Sequence, residues 1–296
     1  MRYSLCSRFR GTLLGAAVGD VLSQAIDISP VVPEFDKSST VKDFSWEQVA
    51  VAVAQGLIEK QTVDLSKVNS YFPEQAKIIN PVKVTIAALP IALFYHDNET
   101  QLRSNLQQFL AWQQDPEIVA GVLAVGYAIA LSLTEKLQAA SLIPQILHFI
   151  ADPQLLLHQQ LMLVKSLLKH QVSIVKAVSV LGEQPSSAIA LAFYSFLSSL
   201  EDFSVCVKRA ATYNLSISSL TGALSGAYNT PCNIPVNWRL LLSCSARNPL
   251  AAWGVHNEAE ILHLCDSLFA VWSGVYHVTS TADVMAIAAP QVIRLR

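Results

Sequence analysis

The amino-acid sequence predicts an all-α protein built as a single multi-helix bundle, and three observations carry that expectation. Apolar residues recur at helical spacing along most of the chain, while alternating strand patterns with hairpin turns are scarce. Prolines such as Pro81, Pro116, Pro153, Pro185 and Pro231 fall between the apolar segments or in their first turns, where a missing N–H costs little. Glycine–serine linkers, low-complexity tracts and internal repeats are missing, so residues 1–296 read as one domain, long enough for a substantial core.

The elements follow in order. The first helix is expected over residues 6–25, where Gly11, Gly15 and Gly19 recur every four residues and line one stripe. Segments 45–60, 83–96, 99–113 and 116–134 come next. The first of these is rich in small apolar residues, and the second contains Pro90, which kinks a helix or marks a break. Then come 137–150, again with an internal Pro144, followed by 153–169, 172–181, 186–198 and 201–212. In segment 216–229, Ser218, Gly222 and Gly226 repeat the four-residue stripe, and 258–274 completes the series. An interior glycine costs roughly 0.5–1 kcal/mol relative to alanine, so two such stripes imply a geometric need. Ordinary close helix packing is the expectation, with the stripes packing against each other or near a common site as the alternatives.

Composition excludes several classes of function. Charged residues are 14% of the chain, against roughly 25% in an average soluble protein, and hydrophobic residues are 52%. That balance, with a mean hydropathy of +0.39, points to helices buried on most sides or to an extensive protein–protein surface. A net charge of -2 gives no electrostatic reason to expect nucleic acid or an anionic membrane as partner. The uncharged run Ile118–Thr134 is at the short end of what spans a bilayer, but no Lys/Arg cluster flanks it, and a buried core helix is the expectation. Residues 1–25 mimic a secretory signal, with Arg2, Arg8 and Arg10 ahead of an apolar stretch. Asp20 interrupts that stretch, so the segment reads as the first helix of a cytoplasmic protein. Cys6, Cys206, Cys232, Cys244 and Cys265 are odd in number, widely separated and without a C-x-x-C pair, which suits reduced thiols. His256 and His263 share a helix face at most, with no third ligand at metal spacing.

Two stretches are more specific. Residues 8–20 read RFRGTLLGAAVGD, and residues 221–228 read TGALSGAY, followed by IPVNW at 234–238. Together they resemble the two ends of the ADP-ribosylglycohydrolase family. The resemblance continues in order between them. Val49–Ile58 is similar to the family's small-and-apolar helix, Ala87–Tyr95 to its M-R-x-A-P-L-x-L stretch without the arginine, and Asp115-Pro116 to the D-P of its H-P-D-P-R motif. The resemblance implies an orthogonal all-α bundle, an activity that removes ADP-ribose from proteins or small molecules, and a site holding two magnesium ions.

The ligands for those ions are what this chain lacks. Counting back without gaps places Phe44-Ser45-Trp46-Glu47 over the family's T-D-D-T motif, and Tyr213-Asn214-Leu215-Ser216 over D-x-D-T. No Asp or Glu occurs from Phe203 to Asn257, and no Asp-Asp pair occurs anywhere in the chain. Magnesium is a hard ion that takes oxygen ligands in near-octahedral geometry, and two such ions held close together need several carboxylates to neutralise them. No metal cofactor is therefore expected.

The acids left at motif positions are Asp20, Glu34, Glu47 and Asp115, the candidate catalytic residues; a lone carboxylate is more often a helix cap or a hydrogen-bond partner. Phe44, Ser45, Trp46, Asn214 and Ser216 stand over the lost metal motifs and are the candidates for ligand contact. Phe44 and Trp46 either fill an emptied cleft, which is the expectation, or stack on an adenine. The leading expectation is a non-catalytic member acting as a binding or regulatory module, its partner another protein or a second copy of the chain. Two alternatives stand beside it. One is a metal-independent hydrolase of ADP-ribosyl N- or O-glycosidic bonds working with two carboxyl groups. The other is a module that binds ADP-ribose or a related nucleotide without turnover.

Overall fold

A computed structural model describes residues 3–26, 45–63, 80–182, 184–213, 215–243 and 249–274, the side chains of 24–26 and 213–216 aside. Among the described residues there are thirteen α-helices and no strands. They are α1 (Leu5–Ile26), α2 (Trp46–Lys60), α3 (Pro81–Phe94), α4 (Glu99–Phe109), α5 (Pro116–Leu133), α6 (Ala139–Ile150) and α7 (Leu156–Lys169). These are followed by α8 (Ile174–Leu181), α9 (Pro185–Leu197), α10 (Phe203–Tyr213), α11 (Leu215–Asn229), α12 (Val236–Leu241) and α13 (Glu258–Trp272).

The centre of the bundle is the antiparallel pair α1–α11, and the glycine stripes make it. A Cβ on Gly11 would overlap the Gly226 carbonyl, one on Gly15 the Gly222 carbonyl, and one on Gly19 the Ser218 carbonyl. The reverse holds for Gly222 and Gly226, which face the carbonyls of Gly15 and Gly11. The stripes therefore pack directly on each other, backbone against backbone, and the spacing read from sequence has a steric cause. At one end of the seam the Ser218 hydroxyl donates to the Gly19 carbonyl at 2.8 Å. At the other, buried Arg8 donates to the Ser132 carbonyl at 2.9 Å and to the Ala227 carbonyl at 3.4 Å, satisfying carbonyls near the C-terminal ends of α5 and α11.

The remaining helices wrap this pair. Helix α3 is nearly all core: every residue except Lys83 is buried. Helix α5 is the one described helix long and apolar enough to cross a membrane, and 78% of it is buried inside the structure. Pro81, Pro116 and Pro185 each open a helix, as their missing N–H allows. Pro90 and Pro144 stay inside α3 and α6, so neither breaks its helix; each gives up one backbone bond in a segment held by burial.

All twelve expected segments are helical, with ends shifted by their caps. Ser173 accepts from Lys176 N and starts α8 at Ile174, and Asn98 accepts from Gln101 N and starts α4 at Glu99. Helix α4 stops at Phe109, earlier than the expected residue 113, because its Leu110 cap turns the chain into the loop before α5. The short α12 was not anticipated: six residues after Pro235 are too few for a periodic pattern to register.

Candidate functional site

The candidate site forms where the C-terminal half of α1, the N-terminus of α2, the first turn of α3 and the 3-10 turn Ala251–Trp253 converge. Each element contributes one group. Asp20 comes from α1, immediately after the last glycine of the seam. Glu47 comes from the first turn of α2, where the positive end of the helix dipole favours a carboxylate. Both are buried, at 5% and 3% exposure respectively.

Between them lies Lys83. Its ammonium donates to Asp20 Oδ1 at 3.3 Å and to Glu47 Oε1 in a shorter contact. As the third residue of α3, Lys83 sits at the helix end that disfavours a cation, so it owes its place to the two carboxylates. Burial alone would pull its pKa down, but Asp20 and Glu47 more than offset that and hold the ammonium above its ordinary value. Asp20 is also raised, first by burial and further by the nearby Glu47, with Lys83 and the Trp253 indole opposing. One ammonium thus serves two carboxyl groups.

Ser45 holds Glu47 in place. As N-cap of α2 its Oγ accepts from Glu47 N at 3.2 Å, and it lies 2.5 Å from both Glu47 Oε2 and the Ala252 carbonyl. A hydroxyl has one proton, so it donates to one of these two acceptors at a time. When it donates to Glu47 Oε2, both oxygens of Glu47 are engaged, one by Lys83 and one by Ser45. The next residue, Trp46, stacks on Trp112 with ring centroids 6.0 Å apart and an interplanar angle of 25°. One face of Trp46 is therefore taken by protein.

Of the sequence candidates, the structure brings Asp20, Ser45 and Glu47 together, with Trp46 adjoining. Asp115 stands elsewhere, exposed at the N-terminus of α5, where its Oδ1 accepts from Glu117 N at 2.9 Å as a helix cap. Glu34, Phe44 and Asn214, and the side chain of Ser216, lie outside the described residues. Sequence reading missed Lys83, Trp253 and Trp112. Lys83 carried a signal: it is the one charged residue in the otherwise apolar segment 81–94. Glu117, which replaces an arginine of the family motif, is also used, its two oxygens accepting from Leu156 N at 2.6 Å and Leu157 N at 3.0 Å. It thereby caps α7, whose own N-cap residue Leu155 makes no side-chain cap bond.

Two magnesium ions need several free oxygen ligands. Among the described residues no three of His, Cys, Asp and Glu come together. The two carboxylates that do converge already share an ammonium. As described, this pair of carboxylates does not fit two magnesium ions.

The family model described as ADP-ribosylglycohydrolase matches residues 1–276. Among solved structures, one described as an "ADP-ribosylglycohydrolase-related protein complex" is similar with a TM-score of 0.60 and 16% sequence identity, over 91% of this chain and 99% of that one. At that identity the likeness shows a shared fold. Comparison with curated proteins finds no match. A family model spanning most of the chain, and a matching all-helical architecture, place this protein in the ADP-ribosylglycohydrolase family.

Proposed function

We propose that this chain is a non-catalytic member of its family, a cytoplasmic binding or regulatory module whose partner is another protein or a second copy of itself. One observation carries the reading: the ammonium of Lys83 stands on Asp20 and Glu47, the two carboxylates that converge there among the described residues. A carboxylate that neutralises a half-buried lysine is poorly placed to bind a divalent cation as well, because a second positive charge would meet the first at short range. The lysine supplies internally a cation for two family-positioned acids, and it is fixed to the chain. It preserves the local packing and offers no exchangeable water for attack on a glycosidic carbon. The absence of acids from Phe203 to Asn257 points the same way, since the late metal motif then has no carboxylate of its own.

The test is hydrolysis of ADP-ribosylated substrates by the full chain in magnesium, with Asp20→Asn and Glu47→Gln as controls. The expected result is no release of ADP-ribose above the buffer rate. Release that both substitutions abolish would overturn the reading and establish an enzyme. Thermal unfolding with added ADP-ribose separates a nucleotide-binding module from a purely protein-binding one. A ligand at a hundred times its dissociation constant adds about 2.7 kcal/mol of stability, and no such shift is expected.

A further inference from the structure

Away from the core, a half-open groove of about 1120 Å³ runs between α6, α7, the 170–174 turn and the C-terminal end of α9. One wall is a single face of α7, where Met162, Lys165, Ser166 and Lys169 follow the spacing of residues that share a helix side. The opposite wall is tied together locally: the Tyr194 hydroxyl donates to the Val172 carbonyl, and Arg209 donates to Ser198 Oγ at 2.8 Å and Ser199 Oγ at 2.6 Å. Between the walls the floor is apolar, with Ile143, Leu168, Val172, Ile174 and Leu197.

Two properties of the groove run against the rest of the chain. The first is charge. The chain has a net charge of -2, yet Lys165, Lys169 and Arg209 line the groove and, among the described residues, no Asp or Glu does. The second is exposed apolar surface. Of eight large hydrophobic residues exposed among the described ones, five (Leu156, Met162, Leu163, Val175 and Val180) belong to α7, which lines the groove, and to α8, which enters it at Ile174; of the five, Met162 is itself in the lining. Scattered exposed hydrophobics need no explanation, but a concentration of them beside a cationic, apolar-floored groove marks an interaction site.

We infer that this groove docks an acidic amphipathic segment of another protein, with apolar side chains on the floor and Asp or Glu facing Lys165 and Lys169. The groove has room for roughly two to three turns of a helix about 10 Å across. Its concavity suits a polypeptide better than a flat bilayer. Three permanent cations around an apolar floor are also few for a nucleic-acid backbone, which is bound through many phosphate contacts. Docking here requires nothing of the core cluster and holds whether or not that cluster turns over substrate.

Panning a random twelve-residue peptide library displayed on phage against the full chain tests this directly. Selected sequences should combine Asp or Glu with apolar residues at helical spacing. As synthetic peptides they should bind at least tenfold more weakly to the double variant Lys165→Glu/Lys169→Glu, and more weakly to the wild type in high salt. Both lysines are exposed, so the variant should keep the wild-type melting temperature. Recovery of no binders, of binders without acidic residues, or of binders indifferent to the double variant would overturn the assignment. So would phosphatidylserine vesicles or duplex DNA binding in a way the double variant abolishes while peptide binding is unchanged. Failure here leaves the hydrolysis assay of the core untouched, so the two readings fail separately.

Discussion

The glycine seam between α1 and α11 and the acid cluster at its end lie one residue apart in sequence, at Gly19 and Asp20, yet they stand differently toward the family they come from. The seam keeps the small residues that let two backbones touch. The cluster keeps two acids but sets a lysine between them. Packing is tolerant of chemistry so long as shape is kept, whereas a metal site depends on the number and charge of its oxygen ligands. A scaffold can therefore outlast its site.

The largest expected effect breaks the seam. Gly222→Leu forces a side chain into the Gly15 carbonyl, with backbone on both sides and nothing able to give way. Destabilisation beyond about 5 kcal/mol is expected, enough to prevent folding, read as loss of soluble protein or of helical circular dichroism. Gly121→Ala sharpens the contrast. Its Cβ would lie 3.3 Å from Ile189 Cγ1, a side chain that can shift, so a change under about 1 kcal/mol is expected in denaturant unfolding.

Next comes the cluster. Lys83→Met leaves Asp20 and Glu47 buried without their counter-ion and should cost roughly 3–5 kcal/mol near neutral pH. The sign of its pH dependence follows from Asp20, already raised by burial and now without the ammonium that opposed that rise. The folded state then holds the Asp20 proton to higher pH than the unfolded state does. The deficit is therefore small below about pH 4, the ordinary aspartate range, and grows as pH rises through the elevated folded value. In the wild type, Lys83 acts at the alkaline end. Its contribution is full below the ordinary lysine value near 10.4 and is lost as pH climbs through its higher folded value. The triple variant Asp20→Asn/Glu47→Gln/Lys83→Met removes all three charges together and should recover much of the single variant's loss, measured by urea unfolding.

A small effect concerns an acid that matches a family motif without joining the site. Asp115→Ala should cost about 1 kcal/mol through the lost cap of α5, with Asp115→Asn nearly neutral. A loss that Asn fails to rescue would show that its carboxylate charge does more than cap.

These contrasts mirror what sequence could and could not show. Helices were legible because apolar spacing, proline placement and caps are local, and the two four-residue stripes announced a close approach. Their mutual pairing, Gly11 with Gly226 and Gly15 with Gly222, joins positions some two hundred residues apart and needed coordinates. Asp20 and Glu47 were legible through motif position. Lys83 was not, because its role depends on α3 entering the bundle beside α2, a tertiary fact with no local mark beyond one charge in an apolar helix. Asp115 shows the converse: it stands at a matching motif position, and its carboxylate caps α5.

Lys83 is proposed to hold the place of an exchangeable cation, and calorimetric titration of the full chain with magnesium chloride asks whether that place is taken. No saturable heat is expected up to millimolar magnesium at neutral pH. Saturable binding approaching two ions per chain, lost in Asp20→Asn or Glu47→Gln, would contradict it.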